Sequence, residues 1–522
     1  MEIIQNKYLH VKTRNPVTIT NAIPESEVIE DNLGIFTVAV KWGLWESQML
    51  RHVKIKGVPS PILRDYSWPG MYRPMAHQRT TSEFLTLHRR AFCFNEQGTG
   101  KTASAIWASD YLLTAGYIKR VLVICPLSIM QAAWQRDLFQ FAIHRSVGLA
   151  HGSREKRRRV VADSYEYIII NYDGIEIILP ELLAGGFDLV IVDEANAYKT
   201  STTKRWKALS KLAGDNTWMW LMTGTPAAHS PVDAYGLAKL AVPHRVPKYA
   251  GSFKDSVMFA VGRFRWVPKN DATDTVFKAL QPAIRYAKKD CLDLPEVTYV
   301  NRDAPLTAQQ QKYYDILRKE FLMTAGDEKV TSANVAVNLN KLLQVACGAI
   351  YTNSKAVLEF DSHIRLAVMA EVIEESSNKV LVFVPFTHTI ELIEKYLGSK
   401  NIPCEIISGN VSVTRRSEII NRFQTKDNSD IKVLVIQPMA AAHGVTLTAA
   451  DTIIWYAPPI SIEIYLQANA RIDRQGQKNT MTIFHLAGSR VEHVMYQKLQ
   501  TKLGQHFDLI ELYNEEIGAV TA

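Results

Sequence analysis

Twice along this chain, short apolar runs of β-prone residues alternate with longer helix-like segments, the rhythm that builds parallel sheets flanked by helices. The first series has candidate strands at Arg90–Phe94, Val121–Pro126, Tyr167–Asn171, Leu189–Val192 and Trp218–Met222. The second has Val380–Pro385, Cys404–Ser408, Val433–Gln437, Thr452–Tyr456 and Thr482–His485. A length of 522 residues suits two or three domains of ~100–200 residues each. Between about Pro243 and Phe360 strands are scarce and helical patterns dominate, as in Thr307–Tyr314, so this third reads as insertions and a connector. The first 68 residues lack the alternation and read as short β-prone segments such as Ile35–Val40. The expected division is an accessory N-terminal domain at 1–68, itself a candidate DNA binder, then a first lobe at 69–295 with an insertion after about 243. A second lobe at 296–508, with a helical insertion before about 356, and a tail at 509–522 complete it.

The longest apolar stretches, Val121–Cys125 and Val433–Ile436, fall far short of the ~20 residues that span a bilayer. Hydrophobic residues make up 47% of the chain and charged residues 21%, the balance of a soluble globular protein. The start, Met1–Lys7, has neither the apolar core of a secretory signal nor the Arg-rich look of a transit peptide. The expectation is an intracellular protein of the cytoplasm or nucleoid, not secreted, with no membrane partner. Cys93, Cys125, Cys291, Cys347 and Cys404 stand far apart without a CxxC pair, so neither structural zinc, an iron–sulfur cluster nor a disulfide framework is expected. The net charge of +8 permits a polyanionic partner without requiring one.

The sharpest local signal is Phe92-Cys93-Phe94-Asn95-Glu96-Gln97-Gly98-Thr99-Gly100-Lys101-Thr102, an apolar strand and glycine loop leading into a helix at Ala103–Leu113. In such a loop, backbone N–H groups and the helix N-terminus surround phosphates, Lys101 neutralises β/γ oxygens and Thr102 holds magnesium. Gly98, Thr99 and Gly100 supply the phosphate-facing backbone. The strict pattern wants glycine where Asn95 stands, and Asn is the side chain that best tolerates a left-handed backbone. Farther on, Leu189–Val192 runs into Asp193-Glu194. Alone, such a pair also fits a solvated turn. After a phosphate loop, the two acids fit hydrolysis, Asp193 holding the metal, partly through water, and Glu194 activating the attacking water.

With these residues the chain resembles the superfamily-two helicases, and within them the Swi/Snf-type DNA translocases. Thr223-Gly224-Thr225-Pro226 is similar to their third motif, Cys125-Pro126-Leu127-Ser128-Ile129 through Trp134 to motif Ia, and Ile170-Asn171-Tyr172-Asp173 to the next DNA-facing position. Pro74–Gln78 resembles the upstream glutamine motif, in which Gln78 would read the adenine edge. The likeness runs from about Tyr72 to Lys502 and includes the segment Tyr286–Pro295 before the second lobe. It implies an α/β fold of two RecA-like P-loop lobes with parallel sheets, mainly helical insertions between them and a small β-rich N-terminal domain. It also implies ATP and Mg2+ as cofactors and DNA as the partner, with Pro126, Ser128, Asn171 and Tyr172 as DNA contacts.

In the second series, Gln467, Arg471 and Arg474 stand at i, i+4 and i+7, one polar stripe if the segment is helical. By itself the stripe also fits a solvated or ion-paired face. The segment Tyr465–Gln477 resembles the helicase arginine-finger motif, which implies that Arg471 and Arg474 reach the γ-phosphate, with Gln467 and Gly444 as further nucleotide contacts. Leu381–Phe386 resembles motif IV, and Ile407-Ser408-Gly409 with Arg415, Arg416 and Phe423 the DNA-contact motif after it. Gly444–Asp451 resembles motif V, but Ala441-Ala442 replace the usual glycine pair and Thr446 the usual Asn, which puts the DNA contact of Thr446 in doubt. Val491–Leu503 resembles the family's C-terminal brace helix.

Two basic runs remain. Ser153–Arg159 reads as a solvated helix start more readily than as a DNA contact. In Arg263-Phe264-Arg265-Trp266, Trp266 either packs in a core with flanking surface charge, or stacks on a base or wedges a junction with Arg263 and Arg265 as further DNA contacts. The preferred function is a monomeric ATP-dependent helicase or translocase that remodels branched or forked DNA, by fork regression, branch migration or reannealing, in replication, recombination or repair. This preference leans on the compact motor and the lack of recognisable chromatin-reader modules. The alternative is a duplex translocase that displaces bound proteins without separating strands.

Overall fold

In this computed structural model the described residues are 1–499 apart from 228–229, 262–265, 328–331, 352–355, 426–430, 442–445, 460 and 475. The chain divides into two compact units, one formed by Met1–Cys291 and the other by Leu292–Gln505.

Unit one opens with a small antiparallel sheet, β1 (Glu2–Ile4), β2 (Tyr8–Thr13), β3 (Glu27–Asn32) and β4 (Ile35–Lys41), in the order β1-β2-β4-β3. Alternate residues Leu9 and Val11 of β2 and Val38 and Val40 of β4 pack with Ile19, Ile23, Trp42 and Leu50 in a separate small core. This domain is tied to the helix Ala76–Leu87, because Gln48 Nε2 donates to the Thr86 carbonyl at 2.9 Å and Glu83 accepts the Ser60 N–H at 3.0 Å.

The main sheet of this unit contains β5 (Arg90–Cys93), β6 (Val121–Cys125), β7 (Val147–Ala150), β8 (Tyr167–Asn171), β9 (Leu189–Val192) and β10 (Trp218–Met222). After a short hairpin, β11 (Met258–Ala260) and β12 (Trp266–Pro268), the strand β13 (Ala283–Ile284) joins it. The order is β13-β5-β10-β9-β6-β8-β7 and every pairing is parallel. Side chains alternate faces along each strand. Phe92, Leu122, Ile124, Val190, Val192 and Leu221 therefore enter one hydrophobic cluster, while Cys93, Val121, Val123, Ile191, Trp220 and Met222 enter another. Both faces are covered, which is why these strands read as unbroken apolar runs.

Unit two has a parallel sheet of β14 (Val297–Asp303), β17 (Lys379–Phe383), β18 (Cys404–Ile407), β19 (Val433–Ile436), β20 (Ala450–Trp455) and β21 (Met481–Ala487), ordered β14-β21-β20-β17-β19-β18. The strands β15 (Ala349–Tyr351) and β16 (Val357–Glu359) form a separate hairpin. Each unit thus has the sheet expected of a RecA-like lobe, and the N-terminal sheet is antiparallel as anticipated. The middle third holds the helices Ala250–Val257, Ala272–Ala279, Ala308–Asp327 and Ser332–Ala346, but also β11 to β16, which are short or edge strands that sequence patterning did not disclose. Residues 490–499 are helical where the brace helix is expected. There the buried Glu492 pairs with the buried Arg365 at 2.7 Å and so ties this helix to the helix His363–Glu375. Among the described residues no helix is long and apolar enough to cross a membrane.

Candidate nucleotide and nucleic-acid sites

Beyond β5 the chain forms a loop that leads into the helix Lys101–Thr114. Gly98 (φ 88°) and Gly100 (φ 81°) are left-handed, the backbone state that any L side chain resists. A Cβ on Gly100 would also overlap the Gln78 amide. Lys101 is buried, and its Nζ donates to the Glu96 carbonyl at 3.2 Å. Thr102 follows in the first helical turn, partly buried. Gln78 does not stand free to read a base. It accepts the Met75 N–H at 2.9 Å and donates to the Thr99 carbonyl at 3.2 Å, tying its helix to the loop.

Asn95 corrects the sequence reading, since it is not among the left-handed residues. Its buried side chain donates to Thr81 Oγ1 at 2.8 Å and accepts the Tyr286 N–H at 3.0 Å, so it bridges two segments packed against the loop. Arg285 braces the same loop from the end of β13. Only 1% exposed, it donates to the Phe94 carbonyl at 2.7 Å, the Gly224 carbonyl at 3.4 Å and Glu96 Oε1 at 3.0 Å. Sequence reasoning passed over Arg285 because a lone Arg after a two-residue strand carries no pattern.

Asp193 and Glu194 directly follow β9. The Asp193 carboxylate is buried, with Oδ1 accepting the Glu194 N–H at 3.0 Å and Oδ2 the Trp134 indole N–H at 2.9 Å. Burial pushes its pKa up, and the Lys101 ammonium works against that shift. This opposition places the lysine and the acid in one electrostatic site. Glu194 has φ 48°, a conformation costly for a non-glycine residue and commonest where function demands it. The hydroxyl of Tyr172 donates to the carbonyls of Asp193 at 2.7 Å and Glu194 at 3.1 Å and holds that turn. Asn196 Nδ2 donates to the Thr225 carbonyl at 2.7 Å, linking the acidic turn to Thr223–Pro226. A Cβ on Gly224 would lie 3.3 Å from Gln97 Cγ, so this segment also touches the phosphate loop. Both amide atoms of the buried Gln97 lack a partner among the described residues. Left-handed glycines, a helix start, a buried lysine and an unpartnered amide fit a nucleotide's phosphate chain. Lys101, Thr102 and Asp193 are the residues that would hold it and its divalent cation.

The profile of the SNF2-related domain matches residues 38–349, and that of the helicase conserved C-terminal domain matches 364–476. The chain belongs to the SNF2-related family. Similar proteins include the chromodomain-helicase-DNA-binding protein 1-like of Mus musculus, 26% identical over 434 residues that cover 78% of this chain and 46% of that protein. The chromodomain-helicase-DNA-binding protein 7 of Homo sapiens is 28% identical over 465 residues, covering 80% of this chain and 15% of that protein. The chain therefore spans less than half the length of these relatives. Among solved structures, the Sulfolobus solfataricus SWI2/SNF2 ATPase core in complex with dsDNA is 21% identical with a TM-score of 0.42, covering 85% of this chain and 94% of that one.

In this SNF2-related chain the residues expected on DNA are partly engaged elsewhere. Asn171 is buried and accepts from Arg157 Nη1 at 2.8 Å. Arg157 also donates to the Ala150 carbonyl at 2.9 Å, so one member of the basic run Ser153–Arg159 is an internal strut. Tyr172 supports the acidic turn rather than presenting its hydroxyl outward. Pro126 is buried and Ser128 half-buried, with the Ser128 hydroxyl lacking a partner among the described residues. Just beyond them a π-helical turn, Met130–Gln135, seats Trp134 fully buried against Asp193. Sequence reasoning placed Trp134 in motif Ia, but its bond to Asp193 spans 59 residues and leaves no local trace.

Unit two corrects the stripe. The helix Ile462–Asn469 carries Gln467 and ends before Arg471 and Arg474. Beyond Asn469 the helical bonding gives way to tighter turns, with Arg471 N–H donating to Ala468 O at 3.1 Å and Ile472 N–H to Asn469 O at 3.3 Å, while Leu447 N–H donates to Arg471 O at 2.9 Å, Arg474 Nε to Ala470 O at 2.8 Å and Gln477 Nε2 to Ile472 O at 3.3 Å. Gln467 and Arg471 are buried, and Arg474 Nη1 donates to Thr446 Oγ1 at 3.3 Å. Gly444 lies outside the described residues, as do Arg263 and Arg265. Ser408 is buried, Gly409 N–H donates to Gln437 Oε1 at 3.1 Å, and the exposed Arg415 pairs with Glu405 at 3.1 Å and Glu418 at 3.4 Å. Trp266 is no core residue. It is 36% exposed on the β11–β12 hairpin, paired with Ala260, with Lys254 Nζ 3.6 Å from its ring centroid.

Proposed function

We propose that this chain is a DNA-dependent ATPase that translocates on DNA and remodels branched or forked substrates. The observation that carries the ATPase reading is the joined set of phosphate loop, acidic turn and Thr223–Pro226, held together by Asn196, Arg285 and the Gly224–Gln97 contact. ATP with a divalent cation, magnesium on this reading, supplies the phosphoryl group transferred to water. Lys101 would neutralise phosphate charge, Asp193 and Thr102 hold the cation, and Glu194 orient and deprotonate the water. Arg471 and Arg474 would supply the positive charge that stabilises the transition state, which makes turnover sensitive to the state of the second unit. DNA as the track is supported by family membership and by relatives named as DNA-binding helicases. Branch remodelling draws its support from the β11–β12 hairpin, where Trp266 offers an exposed ring to an unstacked base.

The test compares ATPase stimulation and products on single-stranded, duplex, forked and four-way DNA, with and without residues before about Tyr72. Remodelling predicts conversion of forks or junctions that weakens in Trp266→Ala. If duplex stimulates fully, bound protein is displaced and no junction is converted, the chain is instead a duplex translocase that clears proteins.

A further inference from the structure

Unit one has a second polar feature at the opposite end of β5 from the phosphate loop. A cavity of about 630 Å³ opens where the N-terminal domain meets the entrance of that strand. Arg51, Lys54, Lys56, Arg89, Arg90 and Arg245 line it, and among the described residues no carboxylate does. Parallel sheets take their usual ligands at the strands' C-terminal ends, so this cavity is separate from the nucleotide site.

The charges here are positioned but not cancelled. Arg90 donates to the carbonyls of Leu240 and Ala213 at 3.2 Å, Arg89 to that of Asn216 at 3.2 Å, and Arg245 to that of Lys278 at 3.3 Å. Carbonyls fix a guanidinium without neutralising it. Two carboxylates act on the group, Glu83 on Arg51 and Asp215 on Arg90, which leaves a clear positive excess. The ring of His88, also on the wall, has its pKa pushed down to about 3 by burial and by the Arg51 charge. Lys54 has φ 66° and so does Gly57, and a non-glycine residue in that state marks a turn held at some cost. Among the described residues no Phe, Tyr or Trp lines the cavity, so it offers phosphates rather than bases a place to bind.

We propose that this cavity binds consecutive phosphates of a nucleic-acid backbone, giving the motor a second, sequence-independent hold on DNA through its N-terminal domain. The proposal rests on the DNA-motor reading for the identity of the ligand. A spread of six Lys/Arg side chains exceeds what a single phosphate group needs and suits a chain of them.

The experiment uses the full chain with Lys54→Gln, Lys56→Gln and Arg89→Gln together, and a fluorescent duplex titrated over a range of salt. Loss of three phosphate contacts should make the salt dependence of log K shallower by about 2–3 and weaken low-salt binding about tenfold or more. The half-saturating DNA concentration for ATPase should rise while kcat at saturating DNA stays unchanged. A thermal melt matching the parent shows that the fold is intact, and Lys54→Arg with Lys56→Arg should retain binding. An unchanged salt slope with affinity within about twofold overturns the proposal. Wild-type ATPase that no DNA stimulates sinks the motor reading instead, and duplex binding that the triple variant still weakens sustains this site.

Discussion

Replacing Trp134 by Phe removes one hydrogen bond donor from the acidic turn. The indole N–H donates to Asp193 Oδ2 at 2.9 Å, and the other carboxylate oxygen accepts from Glu194 N–H at 3.0 Å. Asp193 is only 7% exposed, so water cannot readily replace the lost donor. A hydrogen bond to a charged group contributes about 1.5–3 kcal/mol, which is about 10-fold to 150-fold in an equilibrium or rate. The smaller ring also leaves a void in the core around the fully buried Trp134, destabilising the fold by about 1 kcal/mol more. The expected result is a kcat lowered about 10-fold to 100-fold at saturating DNA. A fluorescent ATP analogue should bind the variant with parental affinity when no divalent cation is present, and more weakly than the parent when one is. The 3-benzothienylalanine variant keeps the shape without the N–H and should reproduce the defect. Parental turnover in both variants, or a loss confined to DNA affinity, would refute a role for Trp134 in holding Asp193.

Asn95→Gly restores the glycine of the strict phosphate-loop pattern yet removes the bridge from Thr81 to Tyr286, so the melting temperature should fall, by about 1–2 kcal/mol in stability; a rise would show that the bridge is unimportant. Gly236→Ala, in the helix Ala234–Ala241, puts a Cβ onto the Lys199 carbonyl, just past the 3-10 turn Ala195–Tyr198 that follows the acidic pair. It should cost about 1–3 kcal/mol and lower turnover, whereas Gly251→Ala, whose Cβ meets nothing, should be neutral or stabilising in the same melt. His485 is buried between Tyr465 and Asn301, and burial takes its pKa down from 6.5 to about 4. The unfolded chain therefore binds a proton that the folded chain refuses between those values. The stability is present in full above about pH 6.5 and is lost as pH falls through about 4, by about 3 kcal/mol. Urea unfolding followed from pH 7 down to 4 should be less pH-dependent in His485→Gln, and equal slopes in the two proteins would contradict this.

How much of this was legible depended on whether the signal was local. The central strands β6, β8, β9, β10, β19 and β20 are buried on both faces and announce themselves as apolar runs. Three edge strands do not: β7 contains Gly148, β13 has two residues, and β14 mixes Asn301 and Arg302 with exposed Tyr299. The phosphate loop and acidic pair were readable because their chemistry fixes residue types at short spacing. What holds them was not, because Trp134, Arg285 and Asn95 act across the fold through single bonds to backbone or carboxylate. The stripe of Gln467, Arg471 and Arg474 likewise depended on one continuous helix, whereas the helix ends at Asn469 and the chain continues in tighter turns through Arg471.

The central claim is that nucleotide hydrolysis at Lys101 and Asp193 is driven by DNA. Steady-state ATP turnover of the full chain, measured with and without duplex DNA beside Lys101→Ala, tests it most directly. Turnover that rises with DNA and disappears in the Lys101 variant is the predicted result. Turnover indifferent to every form of DNA, or retained in Lys101→Ala, would contradict it.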